Sequence, residues 1–137
     1  MLKLVLDTNT LVSAFFWKGN EYELFKNIEK EKAQLFISKE ILNEVEDIFN
    51  RPKFEEVIKN VKMSPNQIIQ KIISVSHLVL GPKLNIKVCR DPKDNKFIEC
   101  AVNCNADYLV SGDKDLISLK SYKNIKIFRS SEILKLL

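Results

Sequence analysis

Residues 4–16 read LVLDTNTLVSAFF. Leu4, Val5 and Leu6 form a short apolar run of the kind that fills a buried strand. Asp7 follows at once, and the apolar residues that resume at Leu11 carry a helical spacing. An acid at such a seam loses its hydration unless something replaces it. Either Asp7 caps the helix backbone, or it belongs to a site where negative charge is wanted.

The same alternation of short strands and helices continues outward. Residues 2–6 read as a strand and 9–16 as a helix start, with Thr8 or Asn9 available as its cap. Gly19 interrupts, and 21–32 form an amphipathic helix with Tyr22, Phe25 and Ile28 as anchors. Residues 33–38 (AQLFIS) make a second strand, and Ser38 caps the helix KEILNEVEDIFN, which ends near Arg51 and Pro52. Residues 54–62 form another short helix. Ser64, Pro65 and Gln67 supply a cap, a first-turn proline and a capping-box glutamine for a helix reaching about Val75. Gly81 and Pro82 mark a turn, and 84–89 (LNIKVC) alternate as a strand does. Asp91-Pro92-Lys93-Asp94 then opens the helix NKFIECAVNCN. Residues 106–111 read as a strand, 112–119 contain a short helix, 125–129 form a last strand, and 130–137 a closing helix.

Helices interleaved with apolar strands predict an α/β fold with a mostly parallel sheet covered on both faces. Ligands of such sheets gather beyond the carboxyl ends of the strands. The 137 residues suit a single domain spanning 1–137, and 45% hydrophobic content argues against a disordered chain.

Lys and Arg total 22 against 18 Asp and Glu, a net charge of +4. That tolerates a polyanionic partner without requiring one. No basic run forms a tail, so a nucleic-acid surface has to be assembled by folding. The three cysteines, Cys89, Cys100 and Cys104, read as thiols in a reducing compartment, because His77 is the only histidine available to complete a metal site. A strand beginning almost at Met1 leaves no room for a signal peptide, and no apolar stretch has membrane-spanning length. The expectation is a cytoplasmic protein with no membrane partner.

Asp7 and Asp113 follow apolar strands, and Asp94 opens the helix after VCRDP. In a parallel sheet the three point to one edge. Glu44 lies within KEILNEVEDIF. At about 100° per residue, Ile41, Leu42, Val45, Ile48 and Phe49 share a face, and Glu44 sits roughly 40° outside it. Glu44 therefore reaches in from the border, while Glu46 and Asp47 point outward. Gathered carboxylates repel one another unless a cation offsets the charge. Mg²⁺ and Mn²⁺ prefer such oxygen ligands, and either one polarises a phosphate and activates water. No histidine, serine or cysteine is well placed as a nucleophile. Each acid also has a plainer role: Asp7, Asp91 and Asp113 as helix caps, Asp94 and Asp115 as first-turn residues, and Glu44 as a solvated side chain. Their convergence carries the metal reading.

Taken in order, LVLDTNTLVSA, SKEILNEVEDIF and DPKDNKFIECAVNCNADYLVSGDKDL resemble the PIN domain family, closest to its small prokaryotic VapC-type members. The resemblance spans nearly the whole chain. It implies a three-layer α/β/α sandwich and assigns the family's four acids to Asp7, Glu44, Asp94 and Asp113. Ser111 falls on the Thr/Ser position beside the fourth acid, and Asp115 is an extra acid nearby. It further implies a Mg²⁺- or Mn²⁺-dependent endoribonuclease, a homodimer, and a cognate antitoxin as partner. The expected mechanism holds one or two ions on the four acids, and activated water attacks an RNA phosphodiester. Asn9 is placed to hydrogen-bond a liganding carboxylate or to cap the helix. Lys18, Lys93, Lys96 and Lys114 flank the acidic segments and are candidates for RNA backbone contact. Phe16 and Trp17 are assigned to packing rather than to base stacking.

Two rival functions fit parts of the sequence. An inactive PIN-like module binding RNA or protein keeps the fold without turnover. A phosphatase of the haloacid dehalogenase type is suggested by DTNTLV and GDKD, but Asn9 stands where that chemistry needs a second acid.

Overall fold

The computed structural model describes residues 1–137. Strand β1 (Lys3–Leu6) is central because its side chains are apolar on both faces; Leu4, Val5 and Leu6 are all buried. It pairs in parallel with β2 (Gln34–Ser38) on one side and β4 (Tyr108–Val110) on the other. Beyond β2 lies β3 (Ser76–Val79), and beyond β4 lies β6 (Ile125–Phe128), both parallel to their neighbours. The two-residue β5 (Ser121–Tyr122) closes that edge as the one antiparallel strand. The order is β3-β2-β1-β4-β6-β5. The chain first winds from β1 outward to β3, then returns to β4 and winds the other way. The reversal leaves a crevice between the carboxyl ends of β1 and β4, the place where open α/β sheets bind ligands.

Helices cover the sheet. Helix α1 (Thr8–Phe16) packs on α2 (Asn20–Glu29) and on α3 (Lys39–Phe49), and α2 packs on α8 (Ser130–Leu134). Helix α5 (Pro65–Val75) lies against α3, and α4 (Glu55–Val61) touches α1. Helix α6 (Asn95–Cys104) runs across β1, β2 and β4, and the short α7 (Lys114–Ile117) follows β4. Twenty-nine buried apolar residues form one core cluster. An aromatic group ties α1 to α3: Phe49 meets Phe15 and Phe16 edge-on, at centroid separations of 6.2 and 5.3 Å. Trp17 is 62% exposed and so lies outside the core, whereas Phe16 stacks on Phe54.

Several local expectations shift. Helix α1 starts at Thr8 and its cap is Asp7, whose carboxylate accepts the Thr10 N–H at 2.9 Å. Helix α2 stops at Glu29, and Glu31 then adopts a left-handed backbone at φ 61°. Ser38 and Ser64 cap their helices as expected, the latter with the full capping box.

The strand expected at 84–89 is absent, and the sheet takes Ser76–Val79 instead. The alternation of Leu84 and Ile86 with Asn85 and Lys87 records one-sided burial without a ladder partner. The segment is held over α6 by side chains: Leu84 N–H donates to Glu99 at 2.8 Å, and Cys89 N–H to Asn95 at 3.1 Å. Cys100 is buried, Cys89 and Cys104 are half-buried, and all three are free thiols. No helix is long and apolar enough to cross a membrane.

Candidate functional site

At the crevice between β1 and β4 stand Asp7 and Asp113, joined through Ser111. Asp7 enters it because β1 ends at Leu6 and the chain turns into α1; the Asp7 N–H is fixed by Val110 O at 3.0 Å. Its side chain is buried, at 3% exposure. One carboxylate oxygen accepts from Thr10 N, and the other accepts the hydroxyl of Ser111, the residue that follows β4. Ser111 Oγ in turn accepts the Asp113 N–H at 3.0 Å. A single hydroxyl thus joins the first acid to the loop that presents the fourth.

Asp113 caps α7 by accepting the Asp115 N–H at 3.0 Å. Asp115 points toward the segment before α6, where Arg90 lies 3.6 Å from its carboxylate. Asp91 caps the tight turn Pro92–Asp94, which leaves Asp94 as the last residue before α6. Asp94 and Asp113 are half-buried.

These groups also act on one another electrostatically. Burial pushes the Asp7 carboxyl above its ordinary range; the Ser111 and Thr10 hydrogen bonds partly offset that, and Asp113 adds to it. Asp94 is pushed up to about 6, first by burial and then by the charges of Asp113, Asp91 and Asp7, with Lys96 acting in the opposite sense. The neighbouring Cys89 thiol rises to about 11, by burial and then by Asp94, Asp113 and Asp91. None of Asp7, Asp94 and Asp113 takes part in an ion pair.

Glu44 reaches in from the border of α3, as the helical wheel requires, while Glu46 and Asp47 are exposed. Both of its oxygens are engaged. Oε1 accepts the hydroxyl of Thr8, and Oε2 pairs with the Lys96 ammonium. Lys96 is therefore turned inward, unlike Lys18, Lys93 and Lys114, which are exposed. The sequence marks Thr8 only as a candidate cap. Its hydroxyl's partner lies 36 positions away, a relation no local pattern encodes.

Beside the acids opens a groove of about 580 Å³ lined by Asn9, Thr10, Ser13, Glu21, Gly112, Asp113 and Lys114, with no apolar side chain among them. Another depression, of about 430 Å³, lies at the opposite ends of the strands, around Met1, Gln34, Ser76 and His77. It holds none of the four acids named above. We take the first as the functional groove, because it adjoins the switch point.

The donor set suits a hard divalent cation. The carboxylates are all oxygen donors, and three of them lack an ion-pair partner, so an ion would relieve the repulsion that adds to burial in raising Asp94. The arrangement is nonetheless open: no three His, Cys, Asp or Glu side chains stand close enough to enclose an ion as they are.

Comparison with known proteins bears on the family and the fold. The PIN domain family model matches residues 3–115. The uncharacterized protein MJ1680 of Methanocaldococcus jannaschii is 34% identical over 122 residues, covering 87% of this chain and 76% of its own length. Among solved structures, a chain of VapBC2 from Rickettsia felis, crystallised bound to a DNA fragment from its promoter, shares the fold with a TM-score of 0.62 at 17% identity. That match covers 92% of this chain and 97% of the other. The match over most of the sequence, on a sheet whose reversal carries the acids, makes this chain a member of the PIN domain family.

Proposed function

We propose that this protein is an endoribonuclease dependent on Mg²⁺ or Mn²⁺, and that it serves in the cytoplasm as the toxin of a toxin–antitoxin pair. The observation that carries the reading is the Asp7–Ser111–Asp113 link at the switch point, with Asp94 at the start of α6 and no ion pair to offset any of the three. In this reading Asp7, Glu44, Asp94 and Asp113 are the acids that hold the ion, Glu44 while keeping its contacts with Thr8 and Lys96. A bound divalent ion supplies the charge that polarises a phosphodiester and acidifies the attacking water.

The chain's own residues do the rest. Ser111 orients Asp7 and the Asp113 loop together. Asp94 holds a proton below about pH 6 and releases it where the cation is to enter. Asn9, Ser13 and Gly112 offer polar contacts along the groove, and exposed Lys114, Lys93 and Lys18 draw in the RNA backbone against the repulsion of the acids. Asp115 tunes the field while held by Arg90. A cognate antitoxin and a second copy of the chain are the proposed protein partners; the antitoxin is supported by the fold shared with a VapBC chain.

The deciding experiment is cleavage of RNA by the purified protein with Mn²⁺, with EDTA, and with Asp7→Asn. Cleavage confined to the wild type with metal supports the nuclease. Growth arrest on expression, reversed by a protein encoded alongside, supports the toxin role. The open arrangement of the acids favours a second reading, a PIN-like module that binds RNA or protein without cutting. RNA binding with no Mn²⁺ uptake in calorimetry would select it. Phosphomonoester hydrolysis without RNA cleavage would select the phosphatase.

A further inference from the structure

Helix α1 ends in an aromatic residue that the fold leaves in water. Trp17 is the chain's one tryptophan and is 62% exposed. Its N–H donates to Ser13 O at 3.1 Å, so its backbone completes the last turn of α1 directly beyond Ser13. Asn9, Thr10 and Ser13 of the same helix line the polar groove that also takes in Asp113. At about 100° per residue, position 17 falls between positions 10 and 13, on the side of α1 that the groove follows. The rise from Asp7 to Trp17 is about 15 Å, within reach of a short single strand of nucleic acid. Phe16 meets Trp17 edge-on at 5.7 Å and stacks on Phe54 at 5.3 Å, and Lys53 lies over the Phe54 ring. No cation of the chain covers the indole itself. Lys18, Arg51 and Lys53 are exposed, and none of them is in an ion pair.

We propose that Trp17 is a stacking platform for one base of single-stranded RNA, on a strand that passes from the acids along the groove. This rests on RNA as the substrate, as proposed above. An indole that served packing would be buried, because its ring is among the largest apolar surfaces a side chain offers. Here most of the residue faces water, while the edge contact with Phe16 and the stack behind it hold the ring in place. A flat π-face accepts any base, so it adds affinity without reading sequence. The unpaired cations of Lys18, Arg51 and Lys53 suit the phosphates that flank such a base. A second protein chain would also gain from the indole, but the core of a protein interface is poor in charge, and free cations beside a wholly polar groove fit a polyanion better.

The single tryptophan is its own probe. In a cleavage-dead Asp113→Asn chain, indole emission and the anisotropy of a dye-labelled oligouridylate are followed through one titration, with heparin as a polyanion that has no bases. A platform gives quenching in step with RNA binding and none with heparin. Trp17→Ala then binds the oligonucleotide about tenfold more weakly, as the loss of one stacked base requires. Trp17→Phe recovers most of that affinity. Both variants keep the parent's slope of log affinity against log salt, because stacking releases no counterion. Their unfolding temperatures stay near the parent's, since the residue lies outside the core. RNA binding with unchanged emission, or with Trp17→Ala as tight as the parent, would overturn the platform and leave the ribonuclease reading standing. Quenching by heparin as strong as by RNA would overturn it too, because charge alone would then explain the change. Emission that shifts with protein concentration alone, with a matching change in sedimentation, would assign Trp17 to a contact between copies and overturn it as well. No RNA binding at all would overturn both the platform and the ribonuclease reading.

Discussion

Ser111 donates its hydroxyl hydrogen to the buried carboxylate of Asp7, across 104 positions of sequence. The same oxygen accepts the Asp113 N–H, so one side chain settles the distance between two acids borne by different strands. This bond also opposes the effect of burial on Asp7. Ser111→Ala leaves that carboxylate short of a donor, raises its affinity for a proton further, and releases the Asp113 loop. We expect a loss of about 1–3 kcal/mol of stability in denaturant titration, together with weaker Mn²⁺ binding. Ser111→Thr, which keeps the hydroxyl, should restore most of both.

Asp94 predicts a pH effect whose sign is fixed. Its folded-state value of about 6 lies above the ordinary 3.8, so the folded protein binds the proton more tightly than the unfolded chain does. Between these values stability rises as pH falls, and the full penalty of the charged form is present above about pH 6. In EDTA at pH 7.5, Asp94→Asn should therefore be more stable than wild type, and the gap should close as pH is lowered through 6 toward 4. Thermal unfolding at several pH values checks this. Mn²⁺ affinity of the wild type should fall across the same window, as protons compete for the carboxylate.

The exposed lysines make a separate prediction. In a cleavage-dead Asp113→Asn background, Lys93→Ala and Lys114→Ala should each weaken RNA binding across sequences. Each should also reduce the slope of log affinity against log salt by about 0.7, the single-strand value for one phosphate contact. Fluorescence anisotropy from low to moderate salt measures it. A slope unchanged in both variants would remove these lysines from the RNA path.

Gly81 lies against α6 so closely that a methyl group there would sit 2.6 Å from Asn103 Cγ. Its backbone is not in the left-handed region, so the obstacle is contact and not conformation. The Asn103 amide must swing aside, losing its bond to Pro82 O at 3.2 Å. Gly81→Ala should cost about 1 kcal/mol, the lost bond outweighing the smaller entropy of the unfolded alanine chain. Combining it with Asn103→Ala should make the alanine neutral or favourable in chemical denaturation.

Much of this was legible in the sequence, for identifiable reasons. The apolar runs Leu4–Leu6 and Leu109–Val110 are buried on both faces, so composition alone marks them as central parallel strands. Asp7 and Asp113 stand directly beyond those runs, which fixes the end of the sheet they occupy. Glu44 was placed by helical periodicity, since Ile41, Val45 and Phe49 define the buried face. The strand Ser76–Val79 escaped notice because it is a short edge, with Leu78 58% exposed and no alternation to read. Residues 84–89 misled for the opposite reason, since a chain draped over a helix buries alternate side chains without pairing. The inward turn of Lys96 was not legible at all. Its charge suggests solvent, and only the approach of α3 to α6 gives it a partner.

The adjacency of β1 and β4 has a consequence for biosynthesis. Leu6 lies opposite Val110, so the crevice cannot form until the second of these has left the ribosome. Until then a nascent chain carries Asp7 without the Ser111 hydroxyl and Val110 carbonyl that hold it in the finished fold. The pocket is completed only after Val110 has emerged and β4 has docked beside β1, so the two acids that Ser111 joins come together late relative to the first strand and helix.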